Sequence, residues 1–328
     1  MLACVTWTPE IMGASGASGA RRSILLLVSS MSAGGRSVRL GPRIVRILRG
    51  GGWEVAVRLT TPGDDPVAIA GGVVAGSIVA ALGGDGYLSA VARGCHESDA
   101  IFAPLPGGRG NDLCRALGIG TDPLARARSL ARLGLTSGEA GVLSSDSLTS
   151  RVRPLDGMWV RTRESVRLAL GVVSIGLDAR ANILANESSL TSGPLAYGYG
   201  AFAALASHEP TDIVATVDGR ERNMSGWIAS VSNSGRFGGG ITLVDSSDMN
   251  DGILEVCHVG PLPMSRALPV LASVVAGRAK THPAIEVESA RVVSFAAPVG
   301  TVAMADGDRV ASIPFTADVA PGVVSVLV

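Results

Sequence analysis

Two glycine-rich segments hold the residues best suited to chemistry: Gly83-Gly84-Asp85-Gly86, and Gly107-Gly108-Arg109-Gly110 followed by Asn111-Asp112. Glycine reaches positive φ without steric cost and lets successive backbone N–H groups turn to one side. At a helix start, these N–H groups and the partial positive charge of the helix make a cradle for an anion such as phosphate. Asp85 would repel phosphate directly, so its carboxylate suits Mg²⁺ or a ribose hydroxyl. Read alone, each loop is equally a tight turn, with Asn111 capping the next helix and Asp112 in its first turn. Capping does not explain why two such loops fall at one sheet edge.

That edge is read from periodicity. Ile24 to Val28 is a continuous apolar strand, and Leu40, Ile44, Ile47 and Leu48 follow at helical spacing until Gly50-Gly51-Gly52. Val55, Val57 and Leu59 alternate with polar or small residues as a half-buried strand, and Pro66 to Ala75 supports a short helix. Ile78 to Leu82 is the strand that delivers the first loop; Ile101 to Pro104 precedes the second, and Asn111 to Leu117 opens a helix. Strands alternating with helices imply a Rossmann-like parallel sheet, whose ligand crevice lies at the carboxyl ends of its strands. From Gly141 the texture changes to short strand-like runs with Asp-Gly turns at 218, 251 and 306, the pattern of a mostly β, sandwich-like domain. Leu195 to Ala206 and Ser265 to Ala276 read as helices within it. The expected division is a flexible leader at 1–22, an α/β domain at 23–140 and the β-rich domain at 141–328, whose final strands are candidates to pack back on the first.

Bulk properties exclude several classes. The 28 basic and 28 acidic residues cancel without a block of like charge, so nucleic acid is not an expected partner. Cys4, Cys95, Cys114 and Cys257 are widely spaced and read as small apolar fillers in a reducing compartment; zinc is not indicated. His96, His208, His258 and His282 lack neighbours at ligand spacing. The first 22 residues show neither a signal peptide nor a membrane span, so the positive mean hydropathy of +0.37 belongs in a core or on a membrane-touching surface.

Taken in order, GGDG at 83–86, P-x-G-x-G-N-D at 106–112, "SIGLDA" at 174–179, "SNSGRFGGG" at 232–240, "DMNDGILEV" at 248–256 and "DGD" at 306–308 resemble the catalytic domain of the diacylglycerol kinase family. That family includes bacterial lipid kinases and sphingosine kinases, and NAD kinases share its two-domain organisation. The resemblance implies an ATP-dependent lipid kinase that passes the γ-phosphoryl group to a hydroxyl of diacylglycerol or a related lipid alcohol. It implies a role in phospholipid biosynthesis and a cytoplasmic protein in peripheral contact with its lipid substrate at the membrane surface, with a homodimer left open. Gly83, Gly84, Asp85 and Gly86 would approach the ATP phosphates, with Thr60 lining the pocket beside Gly108, Arg109, Gly110 and Asn111. Asp112 would help to hold Mg²⁺ through water, and Asp156 resembles another acidic member of that network. Asp248 and Asp251, with the carbonyl of Ile253, resemble a structural metal loop. One of Asp306 and Asp308 would be the base that accepts the proton of the acceptor hydroxyl.

This chain departs from the family pattern in the presumed nucleotide site. Ser29-Ser30 stands in place of Asn-Pro, Tyr87 in place of threonine, Ala90 in place of glutamate, and Arg109 in place of a second threonine. Arg109 can compensate, because a guanidinium binds phosphate oxygens bidentately. Two other readings therefore stay open: a catalytically weakened regulatory protein that binds nucleotide or lipid, and a kinase of a soluble hydroxylated metabolite.

Overall fold

The computed structural model describes residues 22–134, 148–177, 179, 210–237, 241, 242, 244, 247–275, 283–309 and 313–328. Its first part runs β1 (Ser23–Ser29), α1 (Arg36–Gly50), β2 (Glu54–Thr60), α2 (Pro66–Gly71), β3 (Ile78–Gly83), α3 (Asp85–Glu97), β4 (Ile101–Pro106), α4 (Asp112–Ala116) and α5 (Pro123–Ala131). The four strands are parallel in the order β2-β1-β3-β4. The continuous apolar runs of β1 and β3 are buried because helices cover both faces of a parallel sheet. Two helices differ from their periodicity. α1 starts four residues before Leu40 and passes through Pro42, whereas α2 stops at Gly71, well short of Ala75.

The β-rich part runs β5 (Val152–Arg161), β6 (Val166–Ala169), β7 (Val172–Gly176), β8 (Val214–Val217), β9 (Arg220–Asn223), β10 (Ile228–Ser232), β11 (Arg236–Phe237), β12 (Ile241–Thr242) and β13 (Leu254–Val259). It continues through α6 (Met264–Val275), β14 (Ile285–Ala290), β15 (Val292–Ala296), β16 (Ala303–Ala305), β17 (Asp308–Arg309) and β18 (Phe315–Leu327). The helix read at Ser265 to Ala276 is α6; the one read at Leu195 to Ala206 lies outside the described residues, as does the leader through residue 21.

The last strand joins the two parts. β18 pairs in parallel with β4 at Ser325 and Val326, and antiparallel with β5 along nearly its whole length. Its register shifts between Ala320 and Val324, where Gly322 takes φ +57°. β15, β8 and β9 extend the same sheet beyond β18, and a second sheet has the order β14-β13-β10-β7-β16-β17. Phe295, Phe315 and Val293 of the first sheet pack with Val173, Val231 and Val256 of the second, which forms the sandwich core. A separate core joins Leu88 and Phe102 of the α/β part to Leu155, Leu170 and Val324. Apolar burial across that junction fixes the β-rich part along α3 and β4 of the α/β part.

Candidate active site

The two glycine loops touch. Gly107 N–H donates to the Gly83 carbonyl at 2.8 Å, and a Cβ on Gly108 would lie 2.6 Å from the Gly84 Cα. Any side chain at Gly108 would drive the loops apart, which gives both glycine runs a shared physical reason. Gly84 N–H donates to Ser32 Oγ at 3.0 Å, so the segment after β1 closes a third side. Arg109 is half-buried and Gly110 buried between these contacts and α4.

Asn111 does not cap α4 with its side chain. It sits in the left-handed region at φ +56° and turns back, its Oδ1 accepting Gly108 N–H at 2.8 Å and its Nδ2 donating to the Gly108 carbonyl at 3.2 Å. The cap comes instead from the other loop: Leu113 N–H donates to Asp85 Oδ1 at 3.1 Å. A charge-assisted bond at a helix start satisfies one of its orphan donors, so Asp85 ties the first loop to the second. Asp112 takes its place in the first turn of α4. Thr60 ends β2, buried; its hydroxyl donates to the Val28 carbonyl at 3.2 Å and meets the Tyr87 hydroxyl at 3.0 Å. The Tyr87 ring lies against Gly83, where any Cβ would collide with it, and burial pushes its phenol up to about 12.

The carboxyl-terminal Asp-Gly-Asp turn, more than 190 residues away in sequence, folds onto the same loops. Asp306, at φ +50°, accepts N–H groups from Gly171 and Val172 on Oδ1, both at 2.9 Å. Its Oδ2 accepts Leu170 N–H at 2.8 Å and the Ser89 hydroxyl at 2.5 Å. Both oxygens are thereby committed. Asp308 reaches directly over Gly86, where a Cβ would overlap its carboxylate, so only glycine at 86 permits that approach. Asp308 keeps solvent access.

Asp85 and Asp308 each lie near enough to Asp306 to feel its charge. Burial pushes Asp85 up to about 6; the negative charge of Asp306 adds to this, and N–H groups of Leu113, Asp112 and Asn111 oppose it. Burial likewise raises Asp306 against its four donors, and raises Asp308 with a further push from Asp306. Crowded carboxylates with raised proton affinity are where a cation relieves repulsion.

Asp156 accepts a backbone N–H group on each of its carboxylate oxygens. It is buried, with Oδ2 accepting Gly252 N–H at 2.7 Å and Oδ1 accepting Gly322 N–H at 2.6 Å. It therefore staples the 248–253 loop to the irregularity in β18. Within that loop Asp248 Oδ1 accepts Asn250 N–H at 3.1 Å, and Asp251 Oδ1 accepts Ile253 N–H at 2.9 Å. Among the described residues no three His, Cys, Asp or Glu side chains gather as a metal cage. A cavity of about 490 Å³ opens between the two parts, lined in part by Leu117, Arg153, Ser234, Arg236, Asp248 and Met249.

Three polar partners of the site are not singled out by sequence. Ser89 lies four residues after Asp85, one turn along α3, a spacing that puts both on one helix face. Ser32 follows β1 in an undistinguished Ser-rich run. Arg126 is buried in α5, where its Nε donates to the Pro104 carbonyl at 3.2 Å and its NH2 group to that of Leu327, clasping β4 to β18; burial lowers its pKa to about 10. Of the histidines, His96 bonds the Val323 carbonyl at 2.7 Å and His258 lies 3.8 Å from Glu286, both packing or surface contacts. Cys95, Cys114 and Cys257 are buried.

A parallel-sheet domain with paired glycine loops at its carboxyl edge, closed by an acidic turn from a β-sandwich, defines a two-domain kinase. Comparison with known proteins gives the family. Residues 23–142 match the diacylglycerol kinase catalytic domain, and residues 171–328 match the YegS C-terminal NAD kinase beta sandwich-like domain. The chain belongs to the diacylglycerol kinase catalytic-domain family, and it is a phosphotransferase of the lipid-kinase class. It is 22% identical over 308 residues to a diacylglycerol kinase of Mycobacterium tuberculosis (strain CDC 1551 / Oshkosh), covering 93% of this chain and 94% of that one. It is 27% identical over 239 residues to a YegS-like lipid kinase of Pseudomonas putida, covering 72% and 73%. A crystal structure of a diacylglycerol kinase from Bacillus anthracis superposes with a TM-score of 0.70 at 17% identity, over 94% of this chain and 98% of that one, which shows the shared fold.

Proposed function

We propose that this protein transfers the γ-phosphoryl group of ATP to a hydroxyl of diacylglycerol or a related lipid alcohol, with Asp308 as the base. The observation that carries this reading is the seating of the Asp308 carboxylate over Gly86, beside the cradle formed by the two glycine loops. A base needs a lone pair within about 2.6–3.2 Å of the acceptor hydroxyl, directly or through one water. Asp306 has both oxygens engaged by four donors and positions the turn, whereas Asp308 lies over Gly86 with solvent access. Its raised proton affinity helps it take up the proton as the hydroxyl attacks phosphorus. The N–H groups at the start of α3, beside the loop contacts that engage the Gly84, Gly107 and Gly108 N–H groups, meet the phosphates, and the Arg109 guanidinium supplies two donors where the family pattern has one hydroxyl.

Magnesium, when bound, offsets phosphate charge during transfer. It fits here as an ion carried by phosphate oxygens and water, with one or two carboxylates behind it, since among the described residues no carboxylate cage is built. Asp85 and Asp112 are the residues to hold it at the α4 start. Asp248 and Asp251 each keep an oxygen outside the loop's own bonds, and with the Ile253 carbonyl they suit a second, structural cation. This reading places the protein at a membrane surface in phospholipid biosynthesis. Among the described residues no helix is long and apolar enough to cross a membrane, so contact would be peripheral.

A second reading, an altered nucleotide preference, is favoured by Tyr87, whose ring and hydroxyl fill the space between Gly83 and Thr60. The test of both is to incubate a lipid extract with γ-labelled ATP or GTP and magnesium, then look for label in new phospholipid. Label in lipid supports the kinase, and the better donor reports the pocket. Label appearing only in water-soluble product contradicts a lipid acceptor.

A further inference from the structure

α1 carries Arg36, Arg39, Arg43, Arg46 and Arg49 and no acidic residue. With 3.6 residues per turn, the five spread over roughly 140° of the helix, centred opposite its buried Ser37, Gly41, Ile44 and Leu48. All five are exposed. Arg39 and Arg49 donate to the Gly34 and Val55 carbonyls, and none of the five forms an ion pair among the described residues. Solvated helix faces ordinarily mix signs and gain from i,i+4 pairs of opposite charge. This one is single-signed in a chain whose 28 basic and 28 acidic residues cancel, so general basicity does not account for it. α5, packed beside α1, adds exposed Arg128 and, just past its end, Arg132.

We propose that α1 is the face by which the protein seats on an anionic lipid surface. Guanidinium groups bind phosphate oxygens bidentately, and a row of them matches a plane of phosphate headgroups. An apolar anchor lies at one end: Met31, in the loop between β1 and α1, is 68% exposed. The same loop supplies Ser32, which holds Gly84 N–H, so this end of the stripe lies at the rim of the active site. Seating α1 flat, about 22 Å of helix, brings that rim to the level of the lipid headgroups. α1 has no aromatic side chain on which bases could stack, which disfavours single-stranded nucleic acid. The choice of a bilayer as the polyanion rests on the lipid-kinase reading above.

The test is co-sedimentation with vesicles of phosphatidylcholine alone or with added phosphatidylglycerol, for wild type and the Arg39→Gln/Arg43→Gln/Arg46→Gln variant. Each basic residue near such a surface strengthens binding about fivefold, so the triple variant should lose about 100-fold in partition onto anionic vesicles. Wild type should lose a similar amount in high salt and bind phosphatidylcholine weakly. Turnover of diacylglycerol in neutral detergent micelles should be the same for both proteins, which shows that the variant is folded. Equal partition of variant and wild type onto anionic vesicles would overturn the proposal, as would arginine-dependent binding of duplex DNA by a protein that ignores the vesicles. Sedimentation needs no turnover, so an absence of phosphorylation in micelles would count against the kinase reading alone.

Discussion

Asp306 and Asp308 stand two residues apart, and their oxygens meet different surroundings: four donors hold those of Asp306, whereas Asp308 lies over Gly86. The loss of Asp306 is a loss of structure. Asn tolerates its left-handed backbone nearly as well, but an Asn amide would face N–H donors where a carboxylate accepts them. Asp306→Asn should therefore destabilise the fold by about 2–3 kcal/mol, measured by urea unfolding; an unchanged midpoint would show that the turn is held by other contacts. Asp85 carries a pH dependence. Its folded pKa of about 6 exceeds the ordinary 3.8, so between those values the folded protein binds more protons than the unfolded one. Its contribution to stability is present at low pH and is lost as pH rises from about 4 to about 6. Without magnesium, Asp85→Asn should gain roughly 3 °C in melting temperature relative to wild type across that window; parallel melting curves at all pH values would contradict it.

The elements converge on the site through glycine, backbone N–H groups and one long strand. β18 lies between β4 and β15 and carries the irregularity at which Asp156 captures Gly322 N–H while its other oxygen captures Gly252 N–H. Asp156→Ala would take the carboxylate partner from the Gly252 and Gly322 N–H groups and should cost about 2 kcal/mol, loosening the 248–253 loop. Urea unfolding and the protection of the Gly252 and Gly322 amides from exchange would show it. A stable variant whose only defect is a weaker magnesium dependence would restore Asp156 to the metal network. The α/β part was legible in the sequence because β1, β3 and β4 are unbroken apolar runs, whose continuity reports burial on both faces; alternating β2 was read as half-buried, yet its Val57 and Leu59 are exposed. Helix ends were less so: Gly71-Gly72 stop α2 where periodicity ran on to Ala75, and the arginine at 36 does not announce the start of α1. The side-chain partners were hidden for a related reason. Asn111 reads as a cap by local preference, but Asp85, from a different loop, occupies the capping position of α4. Likewise, Asp156 reads as one more acid until Gly252 and Gly322 are brought to it by pairing of strands far apart in sequence.

At the scale of the whole molecule, the sandwich is needed to complete a site that the parallel sheet can only begin. The parallel sheet brings the two glycine loops, the cradle proposed for phosphate, to one place, and the second sheet returns Asp308 to them through β16 and β17, with Gly86 leaving room for the carboxylate. The motifs at 83–86, 106–112 and 306–308 were readable as a set because their order, more than any one of them, carries information. Their three-dimensional meeting depends on cores joining the two parts, which no local pattern reports. The most direct test of this account is single-turnover transfer from γ-labelled ATP with magnesium to diacylglycerol in neutral detergent micelles, comparing wild type with Asp308→Asn at matched thermal stability. The account predicts labelled phospholipid from wild type and a transfer rate lower by about 10²–10⁴-fold in the variant, with nucleotide binding little changed. Equal transfer rates in the two proteins would contradict it.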